Sequence, residues 1–504
     1  MDHYVTSGRQ NVSIEEFQHR SRKVASGLAE IGVTEGDSVA LLLRNDIAFL
    51  EASFGASLLG AYPVPVNWHF KQTEIQYILD NCKAKVLVAH SDLIPKLPIP
   101  LPKHIQIILV PTPPEIQQSY NLTPEQCAPT KGQTVWDHWR DQFTPWNKPP
   151  AAERGSMIYT SGTTGFPKGV RRAPASPDSQ QAMMERLQIG FGIQAGAKAI
   201  MTGPLYHSAP NAYARAIIGL EGDLILMPRF DALDFLTQVE KYSITHAHMV
   251  PTMFVRLLDL SEMIRRNANL ESLESIVHGA APCPPDIKRR MIDWFGPIIN
   301  EYYGSTEAGL ITYVTSAEWI EKEGTVGQPL PESVIRIFGE NDQLLNRGEI
   351  GDIFVNLAVI SGFTYHDDDK KRVEIERDGL ITNGDRGYLD EDNYLFLCDR
   401  AADMVISGGV NIYPAEIEAI MINLEGVRDC AVFGIPDAEY GEALVAAVEP
   451  QPNSTLTEES IRNFIRENMA GYKVPKFVTF HDHLPREDSG KLFKRRLREM
   501  YLKE

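Results

Sequence analysis

The sequence predicts a layered α/β fold over most of its length, then a β-rich stretch, then a small α+β unit. Three observations carry this. Up to about residue 320, short apolar runs alternate with segments of helical periodicity. From Gly324 to Asp399 the apolar runs are close-set, with turn residues at Asp342, Gly348 and Asp392-Asn393. After Arg400, strands Cys430 to Gly434 and Ala443 to Val448 precede a helix over Glu458 to Asn468 and a basic final helix. The expected organisation is a large N-terminal domain, residues 1–399, of layered α/β subdomains plus a β-rich subdomain. A small C-terminal α+β domain, residues 400–504, follows a boundary near Asp399 to Asp403.

The elements follow in order. Ser13 with Glu16 is a capping-box signature, after which Phe17, Val24, Leu28 and Ile31 share one helical face and Gly32 ends the run. Val39 to Leu43 predicts a strand, Ala48 to Leu59 a buried helix, and Pro63 to Val66 a short strand. Thr73 to Asn81 predicts a helix and Val86 to Ala89 a strand. Apolar strands between helices imply parallel sheets covered on both faces. Pro111 to Pro150, rich in Pro and Gln, predicts a long surface loop. A second alternating stretch starts near Gly155, with strands at Ala199 to Thr202, Leu224 to Met227, Ala247 to Val250 and Ser275 to His278. Helices such as Asp234 to Tyr242 and Pro285 to Trp294 lie between them. Val334 to Phe338, Ile353 to Asn356 and Tyr388 to Leu397 are the expected β-rich strands.

Composition narrows the functional classes. The 504 residues carry 49 Lys and Arg against 67 Asp and Glu, a net charge of −18. That excludes a general nucleic-acid coat or an anionic-membrane binder, which need basic surfaces. Small anionic ligands remain possible because local groups hold them. Met1 to Gln10 lacks the apolar core of a signal peptide, and Ala48 to Val66 contains Glu51, Pro63 and Pro65, unlike a membrane span. The five cysteines are scattered without CxxC or zinc spacing, as in a reduced, cytoplasmic protein.

The strongest motif is Tyr159-Thr-Ser-Gly-Thr-Thr-Gly-Phe-Pro-Lys-Gly-Val170. Its glycines free the backbone N–H groups, Thr160, Ser161, Thr163 and Thr164 add hydroxyls, and Lys168 adds a charge, the set a polyphosphate needs. It is no Walker A loop, because Gly169 follows Lys168. The loop resembles the phosphate-binding loop of the adenylate-forming superfamily, which includes acyl-CoA synthetases, peptide-synthetase adenylation domains and firefly luciferase. Further motifs stand in that family's order. Tyr302-Tyr-Gly-Ser-Thr-Glu-Ala-Gly309 resembles its aromatic-Gly-x-Thr-Glu motif, and Thr382-Asn-Gly-Asp-Arg-Gly387 its ribose-binding segment, with Asn383 where Thr is usual. Asp399 to Asp403 and Ser407 to Glu418 resemble its hinge and the loop beyond, and Pro485 to Leu497 its C-terminal lysine motif.

The resemblance implies roles residue by residue. Thr160, Ser161, Gly162, Thr163, Thr164 and Lys168 would cradle the ATP phosphates. Gly279, Ala280, Ala281, Glu301, Tyr302, Tyr303 and Gly304 would line the AMP site, with the Tyr303 ring under adenine. Asp385 and Arg400 would hold the ribose. Thr306 would meet the α-phosphate, and Glu307, a hard oxygen ligand, would hold Mg²⁺. Lys491 would bridge the acid and the α-phosphate, and Gly408 and Gly409 would pass beside pantetheine. His207, Ala280, Gly304 and Ser305 would border the acyl pocket. Arg171-Arg172 is either a contact for the 3′-phosphate of CoA or a surface pair. Two departures stand out. The hinge position, usually Asp or Lys, is Ala402, and the first helix starts early, as if a leading segment were missing.

The expected activity is an ATP-dependent carboxylate–CoA ligase, using ATP, Mg²⁺ and coenzyme A on a hydrophobic monocarboxylic acid. The expected protein is a monomer or homodimer with no nucleic-acid partner. Alternatives are amide synthesis from the same adenylate, loading of a carrier protein, and a non-catalytic nucleotide-binding protein of this fold. No Asp lies between Pro204 and Leu220 to hold a substrate ammonium, which disfavours an amino-acid substrate.

Overall fold

The computed structural model describes residues 3–97, 102, 104–129, 132–160, 167–400, 403–407, 410–437, 440–486, 492 and 494–502, with backbone only at 399, 400 and 411. The first helix, Ile14–Glu30, starts as its cap dictates: the Ser13 hydroxyl accepts the Glu16 N–H at 3.2 Å. The Glu16 carboxylate instead accepts from Arg20 one turn on. Phe17, Val24 and Leu28 are fully buried against the apolar helix Ile47–Leu58. The helices cross closely at Gly55, where a Cβ would come 2.6 Å from Val24.

Four strands form a parallel sheet in the order Tyr62–Pro65, Ser38–Leu42, Val86–His90, Gln106–Val110. The Pro111 to Pro150 expectation is corrected. That segment folds into the short helices Pro114–Tyr120, Pro124–Cys127 and Trp136–Arg140. Trp136 and Trp139, three apart, bury one face of the last of these, and Thr123 with Gln126 makes a capping box around Pro124. The Trp136 and Arg140 side chains close over the buried Glu51 carboxylate at 3.2 and 3.0 Å.

The largest sheet runs in parallel through Ile299–Ser305, Ser275–His278, His246–Met249, Lys198–Met201, Asp223–Leu226 and Tyr4–Ser7. The last of these pairings is long-range and invisible to local pattern. Beyond Ile299–Ser305 the sheet turns antiparallel through Gly309–Val314 and Thr325–Pro329 into Leu395–Arg400 and Leu380–Leu389. The expected single run over Tyr388 to Leu397 is thus two strands, with Asn393 at φ +69° in the turn between them. A separate five-stranded sheet contains Val405–Ser407, Val427–Asp437, Gly441–Pro450 and Phe477–Phe480.

Lys198–Met201 has Asp223–Leu226 on one side and His246–Met249 on the other, so the winding direction reverses there. In open α/β sheets the crevice outside the carboxyl ends at such a switch receives ligands. The residues leading to His207 leave the sheet at this end. No helix among the described residues is long and apolar enough to cross a membrane.

Candidate active site

A three-stranded antiparallel sheet, Phe363–Tyr365, Lys168–Arg172 and Ile158–Thr160, carries the phosphate-loop motif as its hairpin. Ser161, Gly162, Thr163 and Thr164 lie outside the described residues. At the hairpin's base, Lys168 Nζ is 2.7 Å from Asp368 Oδ2, at the cap of the helix Asp369–Glu374. That hydrogen bond is the main reason the Asp368 carboxyl sits below its usual pKa. Across the hairpin, Tyr365 OH donates to Glu307 Oε1 at 3.1 Å and Thr160 Oγ1 lies 3.4 Å from the same oxygen. Burial, then the Glu307 charge, holds the Tyr365 phenol protonated. Glu307 therefore meets the start of the phosphate-loop motif at Thr160, although 147 residues separate the two.

The strand Ile299–Ser305 distributes its motif over two faces. Tyr303 OH donates to Asp385 Oδ2 at 2.6 Å, and Ser305 Oγ donates to Asn383 Oδ1 at 2.9 Å while accepting the Ala308 N–H. These two bonds dock the Asn383–Asp385 turn, with Gly384 at φ +76°, onto the end of the strand. Asn383 thus has a role of its own: its amide oxygen accepts the hydrogen bond of the Ser305 hydroxyl.

Two expected site side chains point elsewhere. The Tyr302 ring packs in the core edge-on to Phe191, at 5.3 Å, and its hydroxyl shares a 2.9 Å hydrogen bond with His248. Strand alternation puts it opposite Tyr303. Glu301 is buried and takes a 2.6 Å bond from Lys288, itself fully buried. Burial raises the Glu301 carboxyl's pKa, and the Lys288 charge opposes that rise. Removing Lys288 would strand a buried carboxylate, at about 3–5 kcal/mol. Gly304 is also explained by the protein: a Cβ there would meet Gly309 O at 2.2 Å, so the hairpin itself demands glycine.

On the acyl side, His207 caps the helix Ser208–Gly219, with its carbonyl accepting the Asn211 N–H at 3.0 Å. Its ring lies 4.5 Å from that of Tyr206. Two buried asparagines hold this turn. Asn45 donates to the carbonyls of Gly203 and Met227 and accepts the Leu205 N–H, at 2.9, 3.0 and 2.9 Å. Asn211 donates to Leu205 O at 3.1 Å. Opposite, Gly279 to Ala281 leave the strand Ser275–His278, with Ala280 exposed in the left-handed region at φ +67°. Sequence reasoning missed Asn45. Its signal was Arg44-Asn45-Asp46, a polar triplet between an apolar strand and a buried helix.

Arg171-Arg172 is corrected. Arg172 Nη2 donates to the carbonyls of Thr306 and Glu307 at 2.6 and 3.0 Å, and Nη1 to Ser361 O at 3.3 Å. Arg171 stacks on Tyr62 at 5.1 Å. Arg172 is engaged internally and offers nothing to a CoA phosphate. Lys491, Gly408, Gly409, Ala402 and the Arg400 side chain lie outside the described residues, although the Arg400 backbone pairs with Asp385.

An α/β switch point and a hairpin flanking the Gly/Thr motif, with a carboxylate across it, fit a nucleotide-dependent activating enzyme. Comparison with known proteins makes the class specific. The family model for AMP-binding enzymes matches residues 2–361, and that for the AMP-binding enzyme C-terminal domain matches residues 416–491. The chain belongs to the AMP-binding enzyme family. It is 31% identical to a feruloyl-CoA synthase of Amycolatopsis sp, covering 99% of this chain and 95% of that one. It is 28% identical to a long-chain-fatty-acid–CoA ligase of Bacillus subtilis, covering 95% and 88%. ATP-bound MatB of Rhodopseudomonas palustris superposes with a TM-score of 0.81 at 25% identity, over 99% and 96% of the chains.

Proposed function

We propose that this enzyme, an AMP-forming acid–thiol ligase, activates a hydrophobic monocarboxylic acid, fatty, alicyclic or aromatic, for transfer to CoA. The observation that carries this reading is the convergence of Lys168, Thr160 and Glu307 on one hairpin, beside the Tyr303–Asp385 pair. ATP binding would exchange Asp368 for phosphate oxygens at Lys168, a like-for-like trade of anions. Asp385 would pass from the Tyr303 hydroxyl to the ribose, leaving the Tyr303 ring for adenine.

Mg²⁺ fits the donors present. Glu307 supplies a hard carboxylate oxygen, and no group of three or more His, Cys, Asp or Glu that could hold a metal occurs among the described residues. Glu307 would share the ion with phosphate oxygens and water, and bound Mg²⁺ would offset phosphate charge. A carboxylate oxygen of the acid then attacks the α-phosphorus and pyrophosphate leaves. Lys491, as the C-terminal motif suggests, would stabilise the charge between acid and phosphate. The CoA thiol, losing its proton, next attacks the acyl carbonyl, and AMP leaves. We place the small domain at residues 400–504, turning about 399–403, with Gly408 and Gly409 beside pantetheine in the second step. A hinge needs only a few residues to absorb the φ/ψ change, which Ala402 permits.

The acyl boundary supports a hydrophobic acid: His207, Ala280, Gly304 and Ser305 bring no charge-paired cation to it. Pyrophosphate release from a panel of fatty, alicyclic and aromatic acids, with and without CoA, tests the reading. Acid-dependent release with thioester formed only when CoA is present is expected. Amide from an added amine in place of thioester would overturn the acceptor.

A further inference from the structure

Arg172 ends the strand that begins with the phosphate-loop lysine, yet its guanidinium reaches the neighbouring hairpin. The three carbonyls it binds belong to Thr306, Glu307 and Ser361, so one guanidinium ties together two separate segments. Tyr62 OH donates to the Arg172 carbonyl at 2.7 Å, so the residue's own backbone is anchored from the four-stranded parallel sheet. Phe363, its strand partner, lies under the guanidinium at 5.9 Å. The guanidinium thus bridges the phosphate-loop strand and the turn that carries Glu307.

We propose that Arg172 is a positioning residue for the nucleotide step. By holding the carbonyls of Thr306 and Glu307, it fixes the two peptide planes that flank Glu307 and so aims the Glu307 carboxylate at the hairpin its own strand belongs to. One guanidinium thus sets the distance between the phosphate hairpin and the metal-binding turn. A lysine cannot span the same acceptors, because its ammonium lacks the planar fork. The inference rests on the reading of Glu307 as the Mg²⁺ ligand.

The test is ATP affinity of the full chain by calorimetry, at saturating Mg²⁺ and in EDTA, which needs no knowledge of the acid. The variants are Arg172→Met, Arg172→Lys, Glu307→Gln and the Arg172→Met/Glu307→Gln double. In Arg172→Met the gain in affinity from Mg²⁺ should fall about tenfold, as for loss of a hydrogen bond to a charged group, with metal-free affinity within about twofold of wild type. Arg172→Lys should recover part of the gain, and the double variant should bind like Glu307→Gln alone. A wild-type Mg²⁺ gain in Arg172→Met, an equal loss with and without metal, or additive losses in the double would each overturn the proposal. Full Mg²⁺ gain in Glu307→Gln would retire the metal role of Glu307 instead, leaving the Arg172→Met arm to decide its own case. Should Arg172→Met fail to fold by circular dichroism, Arg172→Lys decides: a reduced Mg²⁺ gain supports the proposal and a wild-type gain overturns it.

Discussion

The nucleotide side and the acyl side of the crevice are held by different kinds of bond. On the nucleotide side, side chain meets side chain across long sequence distances: Lys168 with Asp368, Tyr303 with Asp385, Thr160 and Tyr365 with Glu307. In the function proposed here, a bound nucleotide would take over one partner of each pair. On the proposed acyl side, buried asparagines grip backbone carbonyls and N–H groups around Leu205, bonds internal to the fold. The first arrangement is preorganised yet exchangeable, and the second is a fixed wall. Substitutions on the two sides should therefore fail differently, in binding and chemistry on one and in stability on the other.

The sharpest break comes from the C-terminal motif. Lys491→Ala should lower acid-dependent pyrophosphate release about a thousandfold, while conversion of preformed acyl-adenylate to thioester persists. Equal loss of both half-reactions, measured separately, would remove the division of labour. Next, Glu307→Gln should cost about a hundredfold in kcat/KM for MgATP, near 2.7 kcal/mol, with the Mg²⁺ requirement raised. An unchanged Mg²⁺ titration would contradict it.

Asn45→Ala should act mainly on stability, by about 2 kcal/mol, because backbone groups lose buried partners. Urea unfolding would show it, and a rise in KM for the acid without one for ATP would place the damage on the acyl wall. His248, under the crevice, sharpens the contrast through pH. Burial depresses its pKa from 6.5 to about 4, so below pH 6.5 the unfolded chain binds a proton that the folded chain refuses. Its share of stability is intact above pH 6.5 and is lost as pH falls towards 4. His248→Gln should flatten the fall in unfolding free energy between pH 6 and 5 by about 1.2 kcal/mol relative to wild type. Parallel wild-type and variant curves would show that His248 protonates freely in the fold. The smallest effect is expected for Asp368→Asn. Freeing Lys168 from an exposed ion pair should lower the KM for ATP about twofold to threefold, and added salt should erase the difference.

The sequence alone determined the alternating elements, the order of motifs and the family. Apolar periodicity and turn residues act locally, and a polyphosphate loop needs its glycines, hydroxyls and lysine in consecutive positions. Ser275–His278 and Glu458–Asn468 appear where their patterns place them. The Pro111 to Pro150 segment was less legible. Its composition reads as loop, while Trp136 is held inward by Glu51, 85 residues away, and Trp139 packs on Phe143. Tyr302 and Tyr303 share one motif, and only their placement on opposite faces of a strand separates the hydroxyl that meets His248 from the one that meets Asp385. Asn45, Arg172 and Asp368 belong to no motif. Their functions depend on which carbonyl, carboxylate or lysine the tertiary fold brings within about 3 Å, the range in which hydrogen bonds act. Sequence spacing cannot encode that proximity, because the partners are set by how separate sheets dock.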